Sequence, residues 1–278
     1  MTLFVFLSVL GAAFLHATWN ALIKTGQSKQ SGMLVLTLVQ GIAGLGVAMT
    51  RPWPEAQVWL WLLASGVFHS GYKLFLTYAY EVGDLSRVYP IARGAAPMMV
   101  LGLSFWLLSD AITAWEYAGV VVLGAGILLM AQGVFANREA SRLVPLALGS
   151  ACMTAGYSIV DGMGARVAGD AVQYVAWLFV LDAVFFTPIC IALNGWQVTK
   201  VDRRGWLVGS AAAGASYAAY AVAVWAMTQA PIALVAALRE TSILFAVLMG
   251  WLFFGDRMDK GKIAAAGLIV GGVALTRL

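Results

Sequence analysis

The stretch "PIALVAALRETSILFAVLMGWLFFGD", residues 231–256, indicates the kind of fold that this chain adopts. It stays apolar over more than the roughly 20 residues that an α-helix needs to cross a lipid bilayer. Arg239 and Glu240 nevertheless lie side by side within it. An ionisable side chain near the bilayer centre costs roughly 2.5–3.5 kcal/mol on insertion scales, so such residues face the protein interior and have a partner there. The stretch therefore predicts a membrane helix that contacts a polar interior.

The remainder of the chain has the same apolar character. Hydrophobic residues make up 62% of the 278 residues and charged residues 11%, which excludes a soluble globular domain. About ten apolar runs are long enough to span a bilayer. We predict an all-α integral membrane protein with about ten transmembrane helices, here called spans 1–10, at residues 2–23, 31–50, 56–80, 86–108, 113–133, 143–163, 170–193, 204–227, 231–254 and 262–277.

The two halves of the chain resemble each other. The segment "PIARGAAPMMVLGLSFWLLSD" (90–110) aligns with "AALRETSILFAVLMGWLFFGD" (236–256), and this alignment matches Arg93 with Arg239. Each half contains five spans. Because five is odd, the second half must enter the membrane from the opposite side, which is the inverted repeat of many secondary transporters. We predict two inverted five-helix repeats, residues 1–135 and 143–278.

The positive charges of the connecting segments predict the orientation in the membrane. Short cytoplasmic connections are enriched in Lys and Arg. The even-numbered connections and the C-terminus hold only Arg51, Arg166 and Arg277. Both termini are therefore predicted to lie outside the cytoplasm. The odd-numbered connections hold Lys24, Lys29, Arg87, Arg138, Arg142, Lys200, Arg203, Arg204, Arg257, Lys260 and Lys262.

Three segments resemble a known family. They are "LHATWNALIKTG" (15–26), "LLSDAITAWEYAGVVVLGAGILLM" (107–130) and "FFGDRMDKGKIAAAGLIVGGVALT" (253–276). The chain resembles the ten-helix, EamA-type members of the drug/metabolite transporter superfamily over essentially its whole length. This resemblance implies solute transport by alternating access between two pseudo-symmetric halves. We expect a multi-pass protein of the bacterial cytoplasmic (inner) membrane.

Polar and ionisable residues inside the spans are the candidate binding residues, because such residues mark substrate and ion pathways in membrane proteins. Spans 1, 3, 4, 6, 8 and 9 carry most of them and are predicted to line one central cavity. The candidates for substrate binding are Arg239, Arg93, Lys73, His69, His16, Trp19, Asn20, Tyr157, Tyr220 and Glu240, and those for proton coupling are Glu240 and Asp182.

Each charged candidate has a structural alternative. Arg93 and Arg239 either clamp carbonyls and carboxylates or bind an anionic group of the substrate, which a guanidinium holds through two parallel hydrogen bonds. Glu240 points away from Arg239, since adjacent helical residues are about 100° apart. It pairs with Lys73 or Arg93, or it contacts a substrate amine or a proton. Asp182 is either a proton carrier or a hydrogen-bonded structural residue.

Arginines, a carboxylate and aromatic rings in one cavity are typical of a zwitterion site, with Arg for the carboxylate and Glu240 and tyrosines for the ammonium. We predict a secondary-active carrier of amino acids or related small polar metabolites, with export favoured. The alternatives are a carrier of an organic anion such as a phosphate or phosphonate ester, a carrier of a quaternary ammonium or drug-like cation, and a channel.

The chain is not expected to be an enzyme or to hold a cofactor or metal, since it has no motif for either. Its net charge of +4 comes from connecting segments and indicates no nucleic-acid partner. The expected partners are a small solute and the bilayer. The protein is predicted to be a monomer or homodimer, in which Gly267 and Gly271 form either a dimer face or an internal contact.

The orientation predicts the behaviour of a C-terminal reporter. A fluorescent protein that matures only in the cytoplasm, fused after Leu278, is expected to stay dark because the C-terminus lies outside. Whole-cell fluorescence measures this, with a fusion after Arg138 in the fifth connection as the bright control. Bright cells with the C-terminal fusion would show that the orientation is reversed.

Overall fold

The computed structural model describes residues 1–24, 28–82, 85–130, 143–254 and 260–278, except for the side chains of 24, 80–82, 85–92, 130, 253 and 254. Every regular element in these ranges is helical, in agreement with the predicted fold class. Several residues used above for charge or repeat arguments lie outside this description, namely the side chains of Lys24 and Arg87 and the whole of Arg138, Arg142, Asp256 and Arg257.

The helices follow the predicted apolar runs. One short 3₁₀-helix, Trp196–Thr199, accompanies eleven α-helical segments in the described residues. They are α1 (Leu3–Lys24), α2 (Lys29–Ala48), α3 (Ala56–Val82), α4 (Leu85–Leu107), α5 (Ala114–Met130), α6 (Leu143–Ala168), α7 (Ala171–Asn194), α8 (Arg203–Gln229), α9 (Ile232–Arg239), α10 (Ser242–Phe254) and α11 (Lys260–Leu275).

Six segments of the described chain are long and apolar enough to cross a membrane. The other predicted spans fall on α3, α4, α5 and α11. Helix α3 contains His69 and Lys73, and α5 and α11 have 17 and 16 residues. The count of ten spans therefore stays a prediction. The six segments are Leu3–Ile23, Lys29–Ala48, Leu143–Ala168, Ala171–Asn194, Arg203–Gln229 and Ile232–Leu252.

The polarity of the molecule is reversed relative to a water-soluble protein. Large apolar side chains such as Phe4, Ile42 and Trp106 are 71–82% exposed, and so many exposed apolar side chains indicate contact with lipid. Charged residues are buried inside instead, which is where membrane proteins keep them. The interior of the helix bundle is therefore the place to look for a site.

The helices pack in pairs that join the two halves. Helix α1 packs on α8, α3 on α6, α2 on α7, and α5 on α11. In the two halves α1 is equivalent to α6 and α3 to α8, so the first two pairs are equivalent to each other. Each of the last two pairs joins a helix to its own equivalent in the other half. The packing therefore has approximate two-fold symmetry.

Glycines show how closely equivalent helices approach and in which direction they run. A Cβ atom added at Gly119 of α5 would lie 2.7 Å from the carbonyl oxygen of Gly272, and one at Gly126 would lie 2.9 Å from that of Ala265. Residue numbers therefore rise along α5 while they fall along α11, so the two helices are antiparallel. A Cβ atom added at Gly41 or Gly44 of α2 would meet Ala183 or Ala176 of α7, respectively. Helices α2 and α7 are therefore antiparallel as well.

The structure bears on one of the two roles predicted for Gly267 and Gly271 of α11, the internal contact. A Cβ atom added at Gly267 or Gly271 would meet no atom of the described residues within 4 Å outside its own helix backbone. The internal contact between α5 and α11 is made by Gly119 and Gly272 instead. The described residues therefore give no support to the internal alternative for Gly267 and Gly271.

Replacing Gly119 by Ala is expected to lower the free energy of unfolding by about 1–3 kcal/mol, because the added methyl group meets backbone that can move only with the whole helix. The melting temperature in detergent measures the loss. Gly267→Ala is the matched control on the partner helix, since its methyl group enters open space. Equal melting temperatures for the two variants would contradict the close packing.

Candidate functional site

A polar cavity of about 50 Å³ lies between the two halves of the bundle. The charged groups at its wall are Lys73 on α3, Arg93 on α4, Asp182 on α7 and Arg239 on α9. Helices α2 and α7 also line it, in addition to the predicted spans 1, 3, 4, 6, 8 and 9. The predicted residues at the wall are His16, Trp19, His69, Lys73, Arg93, Tyr157, Tyr220 and Arg239.

Two of the predicted binding residues lie behind the wall. The amide of Asn20 donates to the carbonyl oxygen of His16 at 2.8 Å, so it bonds within its own helix. The carboxylate of Glu240 contacts Arg93, with Oε1 3.3 Å from Nη1. Of the alternatives considered for Glu240, the structure has the pairing with Arg93.

Arg93 contacts three different helices besides its own. Its Nη1 atom faces Glu240, its Nη2 atom lies 2.5 Å from Nε2 of His16, and Nη2 also donates to the hydroxyl of Tyr72 at 3.4 Å. The side chain is 3% exposed. These contacts hold the guanidinium in place between the first and second halves of the chain.

A second buried ion pair joins Lys73 and Asp182. The ammonium of Lys73 lies 2.5 Å from Oδ2 of Asp182 and 2.6 Å from the hydroxyl of Thr37. The other carboxylate oxygen of Asp182 is buried and has no hydrogen-bond partner among the described residues, and the same holds for the amide nitrogen of Gln40. Both residues line the cavity. The wall at α2 and α7 therefore offers an unused acceptor and an unused donor.

A third group of buried polar residues surrounds Asp161 on α6. Its carboxylate accepts hydrogen bonds from Tyr174 at 3.1 Å and from Tyr220, and its Oδ2 atom lies 2.9 Å from Nε2 of His69. Asp161 has no exposed surface. The sequence analysis did not include it among the binding residues, although an acid inside an apolar span was a sufficient signal.

Arg239 differs from the other buried cations. Its guanidinium lies 5.0 Å from the ring centre of Tyr220, and no carboxylate of the described residues lies within 4.0 Å of it. The residue is 6% exposed and lines the cavity. Arg239 therefore presents a buried positive charge to the cavity without an ion-pair partner in the described part of the chain.

The position of Arg239 depends on a break in the ninth span. The backbone N–H groups of Glu240 and Thr241 bond to carbonyls three residues earlier, at 3.0 and 3.1 Å, so α9 ends here and α10 starts at Ser242. Arg239 lies at the C-terminus of α9, where the helix dipole favours a cation. Discontinuous helices of this kind form solute sites in many transporters.

The start of α9 is held by Asp110 and Arg166. Asp110 accepts from both terminal nitrogens of Arg166, at 2.7 and 3.1 Å, and from the backbone N–H of Ile232 at 2.9 Å. Arg166 also donates to the carbonyls of Met227 and Ala230. Helix α9 has eight residues, so its end lies roughly 11–12 Å inside this anchor at 1.5 Å per residue. The anchor therefore sets the depth of Arg239.

Other arginines tie the same end of the bundle. Arg51 pairs with Asp170 at 3.1 Å, and Arg277 donates to the carbonyl of Met1 at 2.8 Å. The second bond places both chain termini together. The end of the molecule that carries the termini, called the terminal end, is therefore cross-linked by polar contacts in this structure.

A bundle of apolar helices around a cavity lined by charged side chains is the arrangement of a membrane transport protein for hydrophilic solutes. The sequence model of the EamA-like transporter family matches residues 3–132 and again residues 142–278. The chain belongs to this family, as its sequence motifs indicated. The match occurs once in each half, which agrees with a two-repeat layout. The chain is therefore a multi-pass membrane protein of a family that transports small solutes.

Comparison with solved structures supports the fold. One crystal structure superposes with a TM-score of 0.79 over 99% of this chain and 98% of the other, at 20% sequence identity. At that identity the likeness shows the fold alone. No curated protein matches the sequence.

The Arg93–Glu240 pair is expected to stabilise the fold. Replacing Arg93 by Gln leaves the Glu240 carboxylate buried without its partner, which should lower the free energy of unfolding by about 3–5 kcal/mol. The double variant Arg93→Gln, Glu240→Gln is expected to regain a large part of this loss. Chemical unfolding in detergent measures both.

The control is Arg51→Gln at the exposed Arg51–Asp170 pair, where the loss should be at most about 1 kcal/mol. If the double variant is no more stable than Arg93→Gln alone, the two side chains do not depend on each other, and the pair is not the clamp described above.

Proposed function

We propose that the protein is a secondary-active carrier of small zwitterionic metabolites, with amino acids as the first candidates, and that Arg239 binds their carboxylate. The observation that carries this proposal is the buried guanidinium of Arg239, which faces the cavity without a carboxylate partner among the described residues. An unpaired buried charge is unfavourable. A substrate carboxylate relieves it through two parallel charge-assisted hydrogen bonds.

The wall of the cavity at α7 suits the ammonium group. Asp182 uses one carboxylate oxygen for Lys73, and the second is buried without a partner. A substrate ammonium group donates to such an oxygen. Glu240, the residue favoured for this role on sequence grounds, is not at the cavity wall and already contacts Arg93. Asp182 is therefore the better candidate for the ammonium.

The balance of buried charge favours a solute with no net charge. The buried ionisable residues of the described chain that carry full charge are three cations and three carboxylates. With neutral histidines their charges cancel. A zwitterion preserves this balance, whereas a quaternary ammonium or a phosphate ester leaves the low-dielectric interior charged, which is unfavourable. The six residues are Lys73, Arg93, Arg239, Asp161, Asp182 and Glu240.

The small size of the cavity supports alternating access. A cavity of about 50 Å³ has room for a few water molecules only, so a solute of amino-acid size enters when helices move apart. The contacts at the terminal end hold that side together. Inverted halves offer a rigid-body route to open the other side. The antiparallel approach of α2 to α7 and of α5 to α11 supports this arrangement.

The proposal predicts the effect of changing Arg239. Arg239→Lys keeps the charge but loses the planar fork, so the affinity for a bound amino acid should fall by roughly 1.5–3 kcal/mol, the range for hydrogen bonds to charged groups. Arg239→Gln should lose at least as much. The measurement is a thermal-shift titration of the purified protein with each of the twenty standard amino acids.

Arg277→Gln is the matched control, because Arg277 lies at the terminal end and contacts the carbonyl of Met1. It should retain the affinity. An Arg239→Gln protein that stays folded and binds amino acids as tightly as the unchanged protein would eliminate the binding role of Arg239.

A further inference from the structure

The group around Asp161 is not needed to bind a zwitterion. Tyr174 on α7 and Tyr220 on α8 donate to the carboxylate of Asp161, and Nε2 of His69 on α3 lies 2.9 Å from its Oδ2 atom. Three donors from three helices favour the ionised carboxylate. The arrangement is therefore a fixed buried anion with a histidine between it and the cavity.

His69 has the chemistry to bind a proton here. When Nε2 carries the hydrogen that faces Asp161, Nδ1 is the basic nitrogen, and it has no hydrogen-bond partner among the described residues. His69 lines the cavity and stacks on Tyr157, with ring centres 4.3 Å apart. Imidazole is the side chain that gains a proton near neutral pH, and the adjacent carboxylate stabilises the imidazolium.

His16 is not suited to the same role. Its Nε2 atom lies 2.5 Å from Nη2 of Arg93, so a proton on this nitrogen would face a second positive charge. The chain has two histidines in all. His69 is therefore the histidine at which a proton can be added to the cavity.

We propose that His69, backed by Asp161, is a proton-binding site that lets the cavity accept a monoanionic carboxylate in place of a zwitterion. This rests on the proposed binding role of Arg239. A monoanion on Arg239 would give the balanced interior one negative charge, and a proton on Nδ1 of His69 restores neutrality. The proton comes from hydronium on the side to which the cavity opens, no covalent bond to carbon changes, and the proton leaves to water on the other side.

The two binding positions are close enough to influence each other. The guanidinium of Arg239 lies 5.0 Å from the ring centre of Tyr220, whose hydroxyl donates to Asp161. The rings of His69 and Tyr220 are 5.2 Å apart. One tyrosine therefore separates the bound anion from the imidazolium. The other titratable or charged groups around the cavity are His16 on α1, Tyr72 and Lys73 on α3, Arg93 on α4, Tyr157 on α6 and Asp182 on α7.

The proposal has a consequence for the direction of transport. A monoanion and its proton cross together, so a cell with an alkaline interior takes the anion up. A zwitterion carries no such proton and follows its own gradient. The export direction favoured from the sequence would then apply to zwitterions alone.

Acetate and glycine are matched probes, since both carry a carboxylate and only glycine carries its own ammonium group. The purified protein is labelled with ¹⁵N-histidine, and the two imidazoles are followed by NMR from about pH 5 to pH 8, the range in which histidine titrates. His69→Gln and His16→Gln assign the signals. Chloride at equal ionic strength controls for screening.

We expect acetate to raise the imidazolium share of His69 relative to chloride at the same pH, because a nearby negative charge favours the protonated ring. Glycine should raise it much less. Arg239→Gln should abolish the acetate effect, and Asp161→Asn should lower the imidazolium share in the absence of any probe. The second variant keeps the test decisive if Arg239→Gln does not fold.

Two results would overturn the proposal. One is a His69 imidazole that does not gain a proton across this range. The other is an imidazolium share that acetate leaves unchanged. Failure of the proposed function looks different, because amino acids would then produce no thermal shift that depends on Arg239, whatever the His69 titration shows.

Discussion

The neutralisation of charge inside an apolar bundle is the constraint on which the rest of the structure depends. Each buried ion pair joins the two halves of the chain: Lys73 with Asp182, and Arg93 with Glu240. The contact of His69 with Asp161 joins them as well. A buried charge without its partner is strongly unfavourable. The halves are therefore held in register at the cavity by electrostatics, while the glycine contacts of α5 with α11 allow them to approach closely.

The break in the ninth span sets the position of Arg239 at the cavity. Asp110 and Arg166 anchor the start of α9 at the terminal end, and the helix stops after eight residues at Arg239. Glu240 lies in the turn that follows, and its carboxylate contacts Arg93 on α4. Arg239 and Glu240 therefore serve different directions, which explains how two adjacent ionisable residues occur within one membrane segment.

Sequence patterns predicted the helical fold and most of the cavity wall, for a physical reason. Lipid excludes polar side chains, so His16, His69, Lys73, Arg93 and Arg239 had to face an interior. The sequence could not show that the helices of Gln40 and Asp182 line the cavity. A single polar residue in an apolar helix faces an interior at any of several interfaces, and helix packing alone selects which.

The sequence by itself determined the class of protein: apolar length sets the membrane helices, and the two matching halves set the two-repeat layout of the family. The tertiary structure decided which charges are paired. Glu240 had two possible cationic partners, and the approach of α4 to the turn after α9 selected Arg93. Asp161 has its three partners because α3, α7 and α8 bring His69, Tyr174 and Tyr220 to it. Partners that are 13 to 147 residues apart in the chain leave no local pattern, because their contact depends on how whole helices pack rather than on any neighbour in the sequence.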